Sequence, residues 1–276
     1  MLRLIDPTRV IHLPDGTVSP RTLITEVRYP ALGPAGTTDR HGATAARAHG
    51  PFPLIVFGHG FAVTPGLYVR LLQSWARAGY VVAAPAFPRE NRNAPGGPDE
   101  SDLVNQPADV RFVISRLLAA TRSSSGRLAG LIAPGQVAVA GQSDGGDTAL
   151  AVAYDHHFLD SRVRAAVILS GAEIPGSPFR FAAVTPPLLA TQGTADTVNP
   201  PSFTGVFFDA APRPKYLLSL LGAAHLPPYT YQQPQLGIVE RVSTAFLDRY
   251  LKLGRGQESL RRLGNVRGTA ALLAEP

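Results

Sequence analysis

Gly-Gln-Ser-Asp-Gly at positions 141–145 contains the residue types that nucleophilic catalysis needs. It follows the apolar run at residues 137–140 and precedes a stretch of helix-forming residues. A Gly-x-Ser-x-Gly sequence between a strand and a helix predicts a sharp turn that presents the hydroxyl of Ser143 at the positive end of the helix. Larger side chains at Gly141 or Gly145 would collide with the neighbouring strand and helix. The alternative is a glycine-rich turn without chemistry.

Two later residues have the types expected of a catalytic base and of the acid that orients it. Asp196 follows the apolar run at residues 187–191, and His225 follows the run at residues 216–220. A serine hydroxyl is a poor nucleophile and needs a base within about 2.6–3.2 Å, a role that imidazole fills near neutral pH. A carboxylate then holds the imidazole in the required tautomer. The sequence therefore predicts a triad of Ser143, Asp196 and His225.

Other residues compete for these roles. Asp196 could simply form a turn, and His225 could be an ordinary loop histidine. The other histidines lie early in the chain or at the end of the helix after Ser143: His12, His41, His49, His156 and His157. The other candidate acids precede or begin a predicted helix near Pro107: Asp99, Asp102 and Asp109. We expect Asp102 and Asp109 to cap that helix or to occupy its first turn.

A tetrahedral intermediate also needs two backbone N–H donors for its oxyanion. The amide of Asp144, which follows the nucleophile, is the first candidate. The second should come from the loop after the first parallel strand, Gly-His-Gly-Phe at positions 58–61, and we assign it to Phe61. We expect the side chain of His59 to fill space beneath this loop.

The elements that must position these residues alternate between strands and helices. Residues 1–30 predict two antiparallel strands joined at Asp15-Gly16. Apolar runs predict further strands at residues 54–57, 80–85, 137–140, 163–170, 187–191 and 216–220. Helical periodicity predicts helices at residues 66–78, from 107 onward, at 147–154, 203–210 and 236–251. This alternation predicts a mostly parallel sheet with helices on both faces and functional groups at the carboxyl ends of its strands.

Length and composition favour one folded unit. The 276 residues are 45% hydrophobic, which suits one large α/β domain over residues 1–276. Within it, residues 1–50 form the N-terminal strands and a loop, and residues 255–276 form a C-terminal tail. Nothing between residues 170 and 187 is long enough for a separate lid domain. The absence of cysteine excludes disulfides, thiolate zinc sites and a cysteine nucleophile.

The charge pattern argues against several partners. The formal net charge is +6, but the basic residues are scattered and form no run of five or six, so we expect no nucleic-acid binding. No apolar run is long enough for stable membrane insertion, and no signal peptide is evident, so the protein is expected in the cytoplasm, or outside the cell after removal of a leader. No metal-ligand spacing occurs, and we expect neither a metal nor another cofactor. A monomer or a small homo-oligomer is expected.

Four segments together resemble an α/β-hydrolase: residues 58–61, 141–146, 193–196 and 224–225. The resemblance spans about residues 52–250 and is to the branch of dienelactone hydrolases, chlorophyllase-like enzymes and cutinase-like polyester hydrolases. It implies a mostly parallel sheet with an antiparallel N-terminal edge. It also implies a serine esterase or lipase-type enzyme that cleaves carboxylic esters through an acyl-enzyme on Ser143.

The chain also departs from these relatives. Many of them have His where Gln142 stands, and a hydrophobic residue or Arg where Asp144 stands. Dienelactone hydrolases use a cysteine nucleophile, and cutinase-like polyesterases have a disulfide; this chain has no cysteine.

The predicted substrate is a small-molecule or polymeric ester, with an apolar cleft bordered by Phe61, Ile174, Phe179 and Leu226. Two other functions remain open on these residues. An acyltransferase would use the same triad with an alcohol or amine in place of water. A non-catalytic member of the fold would only bind a ligand.

Overall fold

The computed structural model describes residues 1–34, 36–252 and 259–276. Nine strands of these residues form one sheet. In chain order they are β1 (Leu2–His12), β2 (Val18–Arg28), β3 (Phe52–Gly58), β4 (Val81–Ala86), β5 (Ile132–Gln142), β6 (Val163–Leu169), β7 (Leu188–Gly193), β8 (Lys215–Leu220) and β9 (Ala270–Glu275). Their order across the sheet is β1-β2-β4-β3-β5-β6-β7-β8-β9.

The centre of the sheet is parallel and both edges are antiparallel. Strands β4, β3, β5, β6, β7 and β8 pair in parallel. At one edge β1 pairs with β2 and β2 with β4 in antiparallel fashion, and at the other β9 pairs with β8 in the same way. The predicted fold class, a mostly parallel sheet with an antiparallel N-terminal edge, is confirmed.

Helices cover both faces because the central strands are apolar on both faces. They are α1 (Val69–Arg77), α2 (Gln106–Arg122), α3 (Asp144–Tyr154), α4 (Pro201–Ala210), α5 (Pro227–Thr230), α6 (Gln235–Leu251) and α7 (Leu260–Gly264). Alternate residues of β3 point to opposite faces. Ile55 and Phe57 pack in a core with residues of α1 and α6, whereas Leu54 and Val56 pack in a second core with residues of α2 and α3.

The C-terminal segment differs from its prediction as a tail. Residues 255–258 lie outside the described residues. The residues that follow form α7 and β9, so the interpretation as a tail is wrong for residues 260–275. In β9, Ala270, Leu272 and Ala274 are buried and alternate with more exposed residues. The sequence of this strand, Ala-Ala-Leu-Leu-Ala-Glu, does not alternate between apolar and polar residues, so the alternation of burial arises only in the folded sheet.

Two short 3₁₀ helices add detail to the predicted elements. The helix predicted at residues 66–78 begins as a 3₁₀ turn, Pro65–Tyr68, before α1, and Leu67 lies on the exposed side of that turn. The segment before α2 contains a 3₁₀ helix, Glu100–Asn105, which was not predicted from the sequence. None of the helices in the described parts of the chain is both long and apolar enough to cross a membrane.

Candidate active site

Ser143 lies at the turn between β5 and α3 in a strained backbone conformation. Its φ is +56° and its ψ is −129°, a region that residues with a side chain rarely adopt. The glycines around it permit a very close approach of three elements. A Cβ on Gly141 would lie 1.9 Å from the carbonyl oxygen of Gly145, and one on Gly145 would lie 2.2 Å from the backbone of Gly58. The turn can therefore form only with glycine at these positions.

Asp196 and His225 lie in loops after β7 and β8, at the same edge of the sheet as Ser143. The Nδ1 atom of His225 is 2.8 Å from Oδ2 of Asp196. The imidazole is largely buried, and the Asp196 side chain is fully buried. Because Nδ1 faces a carboxylate, it carries the proton, and Nε2, which accepts from the side-chain amide of Gln142, is the basic nitrogen of the ring.

Hydrogen bonds keep the Asp196 carboxylate charged and fixed in position. Oδ1 accepts from the backbone amides of Val198 and Asn199 at 3.0 and 2.9 Å, and Oδ2 also accepts from Nε2 of Gln192 at 3.3 Å. Burial acts to raise the pKa of Asp196, but its hydrogen bonds to His225 and to the Asn199 amide outweigh burial and hold the pKa below its ordinary value.

The nucleophile and the base are not hydrogen-bonded to each other in this structure. The hydrogen bonds of the described residues include none between Ser143 and His225. The Ser143 hydroxyl instead lies 3.4 Å from Oδ1 of Asp144, and Nε2 of His225 lies 3.2 Å from Nε2 of Gln142. Since Gln142 immediately precedes Ser143, the acceptor nitrogen of the imidazole faces the turn that carries the hydroxyl.

Gln142 belongs to a short chain of hydrogen bonds that joins the turn with Ser143 to the loop at residues 58–61. The Tyr68 hydroxyl donates to Oε1 of Gln142 at 2.7 Å and accepts from the amide of Gly60 at 3.3 Å. Burial is the main cause that raises the pKa of Tyr68 above its ordinary value, so the phenol stays protonated. No local sequence pattern relates Tyr68 to Gln142, so only the folded structure reveals this contact.

The loop predicted to supply an oxyanion donor lies against the nucleophile. A Cβ on Gly60 would be 3.1 Å from Cβ of Ser143. Asp144 is the first residue of α3, where backbone N–H groups have no partner within the helix. The roles of the Phe61 and Asp144 amides stay predictions.

His59 has the packing role that we expected of it. It is fully buried, its Nδ1 donates to the carbonyl of Gly60 at 2.8 Å, and its Nε2 accepts from the amide of Phe87 at 3.0 Å. Burial lowers its pKa to about 4, so the ring stays neutral and holds the loop in place.

The other candidate acids and histidines have partners or positions of their own. Arg21 forms ion pairs at 2.6 Å with both Asp102 and Asp109, so Asp102 acts as an ion-pair partner and not as a helix cap. Asp99 caps the 3₁₀ helix Glu100–Asn105 by accepting from the amide of Ser101. His156 and His157 are exposed. In the part of the chain that the structure describes, no group of three or more His, Asp or Glu side chains is arranged to hold a metal ion.

The four predicted cleft residues differ in their surroundings. Phe61 is 40% exposed beside the nucleophile loop. Leu226 is partly buried and packs against the core, whereas Ile174 is buried in a small cluster with Leu103 and Ala151. Phe179 packs edge-on against Phe181, with ring centroids 4.9 Å apart.

The sheet order, the strained serine turn after β5 and the acid and histidine after β7 and β8 together define an α/β-hydrolase fold. A family model described as Chlorophyllase matches residues 43–193, which is more than half of the chain. The chain therefore belongs to the chlorophyllase family, and the predicted resemblance is confirmed. No curated protein matches the chain.

The family match covers only part of the candidate site. It includes the turn with Ser143 and ends at Gly193, before Asp196 and His225. Family and fold together indicate an ester hydrolase of the α/β-hydrolase type.

Proposed function

We propose that the protein hydrolyses carboxylic esters through an acyl-enzyme on Ser143, with His225 as the general base and Asp196 as the residue that orients it. The observation that carries this proposal is the His225 imidazole, which is bound through Nδ1 to a buried carboxylate while Nε2 faces the turn with Ser143. Catalytic hydrogen bonds often tighten only when substrate is bound, which is compatible with the present orientation of the serine hydroxyl.

In the proposed reaction, the Ser143 hydroxyl turns from Asp144 to His225 and attacks the ester carbonyl as Nε2 takes its proton. The amides of Phe61 and Asp144 donate to the resulting oxyanion. The intermediate collapses when His225 returns the proton to the leaving alcohol, and the acyl group remains on Ser143. Water, activated by the same imidazole, then releases the acid and regenerates the serine.

Neutral, bulky esters suit the surroundings of Ser143 best. Several apolar or aromatic side chains are exposed in the loops at this edge of the sheet: Phe61 by 40%, Val198 by 62% and Tyr231 by 63%. The carboxyl group of Asp144 beside the serine would disfavour negatively charged acyl groups. Membership in the chlorophyllase family supports an ester of chlorophyll type as one candidate, and the exposed surroundings favour a polymeric ester as another.

Replacing the nucleophile tests the reaction. Ser143→Ala should lower kcat on a p-nitrophenyl short-chain ester by at least about 10³-fold, because no other group can form the acyl-enzyme. Ser115→Ala, which removes an exposed hydroxyl on α2, should leave kcat unchanged. Undiminished turnover by Ser143→Ala would contradict the proposal.

A fluorophosphonate probe tests the same site without turnover. The probe should label Ser143 in the native protein, with the modified peptide identified by mass spectrometry, and should not label Ser143→Ala. A native protein that fails to react would indicate a ligand-binding member of the fold. A panel of esters of increasing acyl length, with a polyester film and a chlorophyll-type ester, would then define the substrate.

A further inference from the structure

Two buried carboxyl groups, those of Glu90 and Asp144, lie behind the proposed nucleophile. Glu90 follows β4 and is fully buried, and Asp144 begins α3 and is almost fully buried. Asp144 acts on the Glu90 carboxyl group both as a neighbouring charge and as a side-chain hydrogen-bond partner. Neither belongs to the proposed triad.

The hydrogen bonding of this pair requires a shared proton. Oε1 of Glu90 and Oδ2 of Asp144 are buried, and no donor of the described residues reaches either atom. Two ionised carboxylates are both acceptors only and repel each other, so they can pair only if one of them is protonated. The pair therefore carries one proton and one negative charge.

The neighbouring groups described next do not neutralise the single negative charge of the pair. Gln106 donates through Nε2 to Oε2 of Glu90, and Gln106 is neutral. The negative charge of Asp102, which is itself paired with Arg21, also acts on Glu90. The charges of Asp144 and Glu100 act on Asp147, also in α3, and the charges of Asp144 and Glu90 act on the protonated Tyr68. Burial, followed by the charge of Asp144, raises the pKa of Glu90 to about 10.

The pair connects the two proposed oxyanion donors. Asp144 supplies one of these amides, and its Oδ1 lies 3.4 Å from the Ser143 hydroxyl. The carbonyl of Glu90 accepts from the amide of Ala62 at 3.0 Å, next to Phe61, which supplies the other donor.

Hydrogen bonds through Gln106 of α2 also connect Glu90 to the middle of α3. Thr148 of α3 donates to Oε1 of Gln106 at 2.8 Å, and Gln106 donates to Glu90. Glu90 thus links the start of α3, the middle of α3 and the loop that contains Phe61.

We propose that Glu90 and Asp144 share one proton and that Glu90 is a positioning residue, which holds the amides of Phe61 and Asp144 in place for the oxyanion. This inference rests on the proposed function. When the shared proton is lost at alkaline pH, a second negative charge arises next to the site where the oxyanion forms. The two carboxylates then repel each other, and the donors no longer stabilise the oxyanion.

The test compares kcat and KM of three variants with those of the native protein between pH 6 and pH 10.5. Hydrolysis of triacetin is followed by titration of the released acid, with the Ser143→Ala rate subtracted as background. The kcat of the native protein should fall at the alkaline end of this range, because Glu90 loses its proton as pH rises. Glu90→Gln donates an amide hydrogen to Asp144 without a titrating proton, so the alkaline fall should disappear.

The remaining variants separate positioning from packing. Glu90→Ala leaves Asp144 without a donor and should lower kcat at pH 8 by about 10- to 100-fold, with little change in KM. Glu240→Gln is the matched control, because Glu240 of α6 also has a pKa raised by burial but lies outside the site; this variant should keep the alkaline fall.

Two results would overturn the inference: an alkaline fall in Glu90→Gln equal to that of the native protein, or an undiminished kcat in folded Glu90→Ala. Circular dichroism at each pH checks folding, and if Glu90→Ala does not fold, the pH profile of Glu90→Gln decides alone. If Ser143→Ala is active, the proposed function fails. If Ser143→Ala is inactive but Glu90→Gln keeps the alkaline fall, only this inference fails.

Discussion

Both oxygens of the Asp196 carboxylate accept hydrogen bonds. The carboxylate accepts from the imidazole of His225, from the side chain of Gln192 and from the backbone amides of Val198 and Asn199. These bonds fix both oxygens, so the imidazole is held with its second nitrogen towards the serine turn. A neutral amide at this position would present a hydrogen-bond donor or a weaker acceptor to the imidazole and would stabilise the wrong tautomer.

Asp196→Asn should therefore lower kcat by about 10³- to 10⁴-fold, with KM within a few-fold of the native value. Steady-state kinetics on the p-nitrophenyl ester would measure both. Asp160→Asn is the matched control, because Asp160 is also buried but pairs with Arg162 away from the site. Native kcat in Asp196→Asn would exclude Asp196 as the orienting acid.

At the scale of single residues, the sequence predicts those functional residues that belong to a recurring pattern. Ser143, Asp196 and His225 each follow an apolar run, and that position places them at one edge of a parallel sheet. Glu90 also follows an apolar run, that of β4, but no recurring motif marks it, and Tyr68 belongs to a 3₁₀ turn before α1. Their partners, Asp144 and Gln142, are distant in the chain, so only the folded arrangement reveals them.

At the scale of elements, the approach of β5, α3 and β3 determines where Ser143 lies. Gly141 and Gly145 bring the backbones of these elements into contact. In the same strand, Gly135 has open space around its α-carbon. Gly135 and Gly141 both belong to β5 but differ in what surrounds them, so comparing them isolates the effect of close packing.

Gly141→Ala should destabilise the protein by more than about 3 kcal/mol or prevent folding, because the added methyl group would overlap the backbone of α3. Gly135→Ala should change the free energy of unfolding by no more than about 0.5 kcal/mol. Urea denaturation of the two variants would measure the difference. Equal stabilities would show that the turn tolerates a side chain at position 141.

At the scale of the whole molecule, the C-terminal residues complete the sheet. Strand β9 pairs with β8, which leads into the loop with His225. Leu272 of β9 packs in the same core as residues of α1 and α6, while Leu273 is 52% exposed. We propose that residues 1–276 form one domain, because this core contains residues from β3 through β9.

Leu272→Ala should lower the free energy of unfolding by about 2–4 kcal/mol through loss of buried apolar area and creation of a cavity. Leu273→Ala should change it by about 0.5 kcal/mol or less. Urea denaturation, followed by circular dichroism and by Trp75 fluorescence, would also test the single domain. Under that proposal, both signals from Leu272→Ala shift together, since Trp75 lies in the same core.

The amino-acid sequence by itself determined a mostly parallel sheet flanked by helices, every strand except β9, and the order of Ser143, Asp196 and His225, because strand periodicity and glycine spacing are local properties; the resemblance to a known family added the α/β-hydrolase class. The sequence did not reveal β9, whose formation depends on pairing with β8, or the burial of Ile174 against Leu103. The tertiary structure alone decided that Glu90 meets Asp144 behind the nucleophile and that Gln142 faces His225. Burial and proximity set the charge of such groups, and both arise only when distant segments pack together.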